Sequence, residues 1–279
     1  VNAWNIERLA DLLAECGKIA LKYYDNPPME FKSDHSVVTA ADKAIEKMLA
    51  AEFDKPEENT YMIGEETVET KDENYIQNAL KGTTWIVDPI DGTAPYSNHI
   101  PTWGVSIALM RNGKIIEGAI YLPVFNEIFI SQENHVLYSN DFPNSKELRA
   151  LCPKLKSFNE AGMVSISQKV TKLGKFRLYN PVQAIGSCVY SLAGLANGQY
   201  MAYIATVKLW DIAGGLPILK KCGFQARLAN GKDLGLDVSE EFYNLAPNGQ
   251  QRWQLKTHAA MAPDTNIIER IFSASELPE

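Results

Sequence analysis

The sequence is poor in the residues that build soft metal centres. Among 279 residues there are 4 Cys and 4 His. Cys16, Cys152, Cys188 and Cys222 are scattered, with no paired zinc-type spacing, which argues against a nitrogen- or sulfur-rich metal site. They read as reduced and mostly buried thiols. Positive charge is also short: 27 Lys and Arg stand against 34 Asp and Glu, a formal net charge of −7. That balance argues against a general nucleic-acid binder. No apolar run approaches the length of a membrane span. The opening residues carry Glu7, Arg8, Asp11, Glu15 and Lys18, so they are no secretory signal. These absences lead us to expect a cytoplasmic protein with no membrane partner. There is no internal repeat and no low-complexity tract. What is present is ordinary globular material, 46% hydrophobic and 22% charged. It is enough for one large domain or two packed ones with a sizeable core.

Ile6, Leu9, Leu12, Leu13, Cys16, Ile19 and Tyr23 recur at helical spacing and predict an amphipathic helix over residues 6–24. After Asn26-Pro27-Pro28 comes a polar loop, Lys32 to Ser36. Thr39 precedes Asp42 by three, in the manner of a capping box, and opens a second helix with Ile45, Met48, Leu49 and Phe53 inward. Tyr61-Met62-Ile63 reads as a short strand running into Gly64-Glu65-Glu66. Residues 67–82 are polar and predict a mobile or poorly ordered excursion, a candidate lid. Trp103, Val105, Ile107 and Leu109 alternate like a half-buried strand, and Asn112-Gly113 is a hairpin turn. Strands at 114–122 and 126–132 follow, which makes the first half two helices against an antiparallel sheet. Residues 134–160, with Pro143 and Pro153, look like a boundary. Beyond it, strands near 163–167, 200–204, 223–228 and 258–261 alternate with helices near 182–197 and 211–221. Asp264 caps a last helix. That alternation suggests an α/β second half.

Three acidic stretches stand at strand ends or helix starts. The first is Gly64-Glu65-Glu66. The second is Asp88-Pro89-Ile90-Asp91-Gly92-Thr93, after the apolar strand Trp85 to Val87, which is expected to stop at Pro89. The third is Trp210-Asp211-Ile212-Ala213-Gly214-Gly215. Carboxylates suit a hard cation, and a glycine before a helix start suits close approach of an anion. The plain alternative for the central stretch is an Asx-turn joining a strand to a helix.

In this combination and order the three stretches resemble the signature of the inositol monophosphatase superfamily, and the likeness runs from the first helix to the last. The resemblance implies an α/β fold, a layered α-β-α-β-α sandwich. An N-terminal half, 1–140, carries most of the ligands and a C-terminal half, 141–279, completes the site. It implies Mg²⁺, two to three ions, with metal ligands Glu65, Asp88, the Ile90 carbonyl, Asp91 and Asp211. It implies catalytic roles for Glu65, Asp42 and Thr93, with Asp42 paired to the threonine hydroxyl near the attacking water. Substrate contacts would come from Gly92, Thr93, Gly186, Ser187, Asp211 and Lys32. The implied activity is hydrolysis of a small phosphate ester by metal-activated water, with lithium sensitivity and a homodimer as further implications. Inositol 1-phosphate leads as substrate, with histidinol phosphate or a 3′(2′),5′-bisphosphate nucleotide behind. A regulatory or binding protein on the same scaffold is the alternative of another class.

Each residue also has a plainer reading. Asp42 would favour the dipole of its helix, Asp211 would cap its own, Lys32 would be a solvated loop lysine, and Glu66 a surface carboxylate. His35 and His99 are lone loop histidines, expected in solvent. Some positions depart from the family pattern. Ile204 stands where inositol monophosphatases place an acid, seven residues before Asp211, and Ile cannot accept a substrate hydroxyl. Gln183 stands where an Arg is frequent, and Ala94 to His99 is unlike the usual continuation of the central motif. The carboxylate set is complete; the substrate wall is atypical.

Overall fold

The computed structural model describes residues 3–31, 37–247 and 251–278. Lys32 and His35 lie outside them.

The first helix, Ile6–Tyr24, is capped by the Asn5 side chain, which accepts from the Arg8 amide. The second, Ala40–Phe53, opens with the expected capping box between Thr39 and Asp42. Both helices bury their apolar stripes on one face of a seven-stranded sheet, where Leu13, Cys16, Ile45 and Leu49 meet Val87, Val105, Ile107 and Tyr121. The other face carries Ile63, Ile86, Ala108, Met110 and Ile120, covered by helices Cys188–Ala196 and Gly215–Lys221. Behind those helices stands a five-stranded sheet, whose far face packs Val164, Ile166 and Ile204 against Ile267, Ile268 and Ile271 of the last helix, Thr265–Ser273. The layers are therefore α-β-α-β-α, and the expected α/β class holds.

Several local expectations are corrected. The strand Gly104–Arg111 is buried along its length except at Arg111, because helices cover both faces; its alternation sorts residues between two cores rather than between core and water. The first-half sheet is mixed: Thr60–Gly64 runs parallel to Thr83–Asp91, and the remaining pairs are antiparallel. Residues 67–82, expected to be poorly ordered, supply the crossover between these parallel strands as helix Glu73–Lys81. Asp72 caps that helix, it buries Ile76 and Ala79, and the Tyr75 hydroxyl bridges Asp54 and the Met62 carbonyl. The 134–160 stretch contains strands His135–Ser139 and Arg149–Ala150, which extend the same sheet.

In the second half, the helix expected over 182–197 begins only at Cys188. Val182 and Gln183 pair instead with the strand Val164–Ile166, and Gly186, at φ +81°, makes the turn that lets Ser187 cap the helix. Gly198, at φ +70°, ends the region as expected. The single helix expected from Asp211 to Lys221 is two, Leu209–Ala213 and Gly215–Lys221. Among the described residues no helix is long and apolar enough to cross a membrane.

Candidate active site

The central strand, Thr83–Asp91, does not stop at Pro89. Its pairing with Gly104–Arg111 slips between Asp88 and Asp91, a bulge that absorbs the proline's missing N–H. The bulge leaves Asp88 and Asp91 on one side of the strand end. Because Thr60–Gly64 is parallel to this strand, its continuation at Glu65 emerges at the same edge, and the Glu65 amide donates to the Val87 carbonyl at 3.2 Å. Asp211 arrives from the opposite layer, in the first turn of Leu209–Ala213. Two contacts seat that helix on the sheet. Ser106, the register partner of Asp88, donates to the Trp210 carbonyl at 3.0 Å. Gly118 lies against Gly214 so closely that a Cβ there would overlap the Gly214 carbonyl.

The outcome is a carboxylate cluster: one oxygen from each of Asp88, Asp91 and Asp211 lies within 4.8 Å of the others. Both oxygens of Asp88 are buried without a hydrogen-bond partner among the described residues. Asp91 accepts from the Ser187 hydroxyl and from the Val189 amide at 2.9 Å, and Asp211 accepts from the Lys208 amide at 2.8 Å. Burial pushes the Asp91 carboxyl up to about 7, against those two hydrogen bonds and with the charge of Glu65 adding to the rise. Burial, followed by the charges of Glu65, Asp91 and Asp211, raises Asp88 well above the usual carboxylate range. Asp211 is raised likewise, by burial and then by Asp91 and Glu65. An all-oxygen, mutually repelling set, buried at Asp88 and Asp91 and half-buried at Asp211, with two orphaned acceptors, fits a hard cation.

The other predicted residues are placed as follows. Glu65 is half-buried beside the triad, and its charge acts on all three aspartates. Glu66 is also half-buried, and its amide donates to the buried Glu46 carboxylate at 2.9 Å. Gly92, at φ +89°, caps the short helix Thr93–Ser97 and abuts Ser187, where a Cβ would stand 2.9 Å from that residue's own Cβ. The Thr93 hydroxyl donates to the Ile90 carbonyl at 3.1 Å rather than to Asp42. Asp42 is buried and accepts from the Thr39 amide and hydroxyl, while its charge still reaches Asp88. His99 is exposed and packs edge-on to Tyr24. Gln183 is exposed and meets the Tyr200 hydroxyl at 3.3 Å. Ile204 packs into the core between the five-stranded sheet and the last helix.

A cleft of about 200 Å³ opens beside the carboxylates. Asp91, Asp211, Gly186 and Ser187 line one part of it; Ser167, Gln168, Lys169 and Thr206 line another. The last four carry no motif. What brings them to the cleft is that Val164–Ile166 and Ala202–Ala205 are parallel neighbours whose ends open at one edge.

Comparison with known proteins agrees with this architecture. The sequence matches the inositol monophosphatase family over residues 6–267. It is 28% identical over 227 residues to an inositol monophosphatase of Dictyostelium discoideum, covering 78% of this chain and 82% of that protein. Among solved structures, an IMPase of Thermotoga maritima shares the fold with a TM-score of 0.73 at 19% identity, covering 96% of this chain and 95% of the other. An IMPase/NADP phosphatase complexed with Mg²⁺ and phosphate does so at 0.67 and 16%, covering 95% and 93%. The chain belongs to the inositol monophosphatase family, which makes it a phosphatase of that type.

Proposed function

We propose that the protein is a Mg²⁺-dependent phosphomonoesterase that hydrolyses a small phosphate ester by direct attack of water. The observation that carries this reading is the convergence of Asp88, Asp91 and Asp211, with both Asp88 oxygens buried and unpartnered. An oxygen-only donor set suits Mg²⁺ better than zinc or copper. The fold neighbour complexed with Mg²⁺ and phosphate supports the same choice. In this reading Asp88, Asp91 and Asp211 hold the metal, with Glu65 and the Ile90 carbonyl beside them. That carbonyl accepts the Thr93 hydroxyl and keeps a second lone pair. Bound Mg²⁺ would supply charge neutralisation and an acidified water. The chain's own residues do the rest. Gly92 and Thr93 offer backbone amides to the phosphate. Ser187 and the Val189 amide hold Asp91 in orientation. Asp42, anchored by Thr39, presents a fixed negative charge near Asp88 that favours proton removal from an approaching water.

The substrate within this class is a phosphate ester of the inositol phosphate kind, the activity named for its relatives. A homodimer and a cytoplasmic location belong to the same reading. The test is phosphate release from inositol 1-phosphate, histidinol phosphate, 3′-phosphoadenosine 5′-phosphate and fructose 1,6-bisphosphate, with and without Mg²⁺. Metal-dependent turnover of one ester, lost in Asp91→Asn, is the expected result. A protein that binds Mg²⁺ yet turns over none of them would point to the regulatory alternative.

A further inference from the structure

The cleft has two chemically different ends. One is the aspartate cluster. The other is built from Ser167, Gln168 and Lys169, at the start of helix Gln168–Leu173, and from Thr206, just past the strand Ala202–Ala205. Lys169 is the one cationic side chain among the described residues lining the cleft, and it forms no ion pair with any of them. The Ser167 hydroxyl is buried and has no hydrogen-bond partner among the described residues, although Ser167 occupies the cap position where a serine ordinarily accepts from its helix. Gln168 reaches over Gly186, where a Cβ would stand 2.8 Å from the Gln168 amide nitrogen.

Thr206 is held by a relay. Its hydroxyl bonds the His258 Nδ1, and His258 Nε2 lies 2.5 Å from the Pro278 carbonyl. A carbonyl only accepts, so Nε2 carries the proton and Nδ1 accepts from Thr206. The threonine proton is thereby committed to the histidine, and its lone pairs remain for the cleft. Burial lowers the His258 proton affinity and the nearby Lys169 charge acts in the same direction, against the opposing effect of the Pro278 hydrogen bond, so the neutral ring is favoured. Ile204, at the position where an acid was expected, is turned into the core beside Ile166 and offers the cleft nothing. Among the described residues the wall thus has a cation without an ion pair and uncommitted hydroxyl and amide groups, and no carboxylate from the position of Ile204.

We propose that this wall is a second anion subsite, which takes a phosphate or carboxylate carried on the alcohol part of the ester. Lys169 is its charge partner, Ser167 and Gln168 are its neutral donors, and Thr206 accepts from an adjacent substrate hydroxyl. The proposal rests on the phosphatase reading for the acidic end of the cleft and adds to it what holds the second anion of an ester that carries one.

The test compares three esters on the Mg²⁺-loaded protein: glycerol 2-phosphate, with no second anion; 3-phosphoglycerate, with a carboxylate; and fructose 1,6-bisphosphate, with a second phosphate. Lys169→Ala is expected to raise KM about tenfold for at least one of the two-anion esters and to leave kcat within about twofold. Glycerol 2-phosphate should be unaffected and Lys169→Arg should restore the lost KM. Which two-anion ester responds identifies the carboxylate or the phosphate as the recognised group. Equal changes for all three esters, or none, would overturn the subsite. Should the wild-type protein release phosphate from none of them, the phosphatase reading fails on its own account, and calorimetric binding of the same three probes decides the subsite. Weakening by Lys169→Ala confined to a two-anion ester supports it; uniform binding, uniform weakening or no binding overturns it.

Discussion

Ser106 donates its hydroxyl to the Trp210 carbonyl across 3.0 Å, and the same serine is the register partner of Asp88. One side chain therefore ties the strand end carrying Asp88 to the helix carrying Asp211. The Gly118–Gly214 contact lets that helix sit on the sheet without a side chain between them. The carboxylate cluster is thus a product of two packed layers.

Gly118→Ala inserts a methyl where the Gly214 carbonyl lies. Relief requires the Asp211 helix to lift, at a cost of about 1–3 kcal/mol by the usual scale of overpacking. Chemical denaturation should show that loss, and Mg²⁺ affinity measured by calorimetry should fall with it. An unchanged affinity in a destabilised variant would mean that the helix seating does not set the cluster.

Asp88→Asn separates stability from function. Replacing a buried, unpartnered carboxylate by an amide removes one member of a self-repelling group. The thermal midpoint of the metal-free protein should rise, while metal-dependent phosphate release drops at least about a hundredfold. A fall in both would show that Asp88 supports the fold instead.

Stability should depend on pH in opposite ways with and without metal. The Asp91 carboxyl is raised from 3.8 to about 7 in the folded chain. A raised acid binds its proton more tightly when folded, so its contribution is complete below the unfolded value and is lost as pH climbs through the folded one. The metal-free protein should therefore lose stability between about pH 4 and pH 7. A bound cation reverses the penalty, so the gain in melting temperature on adding Mg²⁺ should be larger at pH 8 than at pH 5. Equal gains at both pH values would contradict the account.

Asp42→Asn tests whether that residue is more than a helix cap. The amide oxygen can still accept from the Thr39 amide, so stability should change by no more than about 1 kcal/mol. Phosphate release should nevertheless fall about a hundredfold if the charge assists proton removal. Activity close to wild type would leave Asp42 with the capping role alone.

Much of this was legible in the sequence, for identifiable reasons. The helices at 6–24 and from Ala40 carry both periodicity and caps, so local chemistry and tertiary packing agree. The three acidic stretches were readable because strand ends and helix starts are short, local signals. Where the reading failed, packing overrode them. Pro89 continues a strand because a bulge removes the need for its N–H. Helix Glu73–Lys81 was missed because it buries only Ile76 and Ala79, too few for a clear stripe. The helix expected from Val182 was delayed because Val182 and Gln183 found a strand partner in Val164 and Ser165. Ser167, Lys169 and Thr206 could not be found at all: they meet only because Val164–Ile166 and Ala202–Ala205 pair in parallel across a long separation in the chain.

In the proposed reading Asp88, Asp91 and Asp211 form one cation site. Its most direct test is anomalous diffraction from crystals soaked in Mn²⁺ as an Mg²⁺ substitute. A peak bonded to oxygens of all three aspartates, absent in Asp88→Ala, is expected. Soaked crystals with no peak among these carboxylates, or with the peak unchanged in the variant, would contradict it.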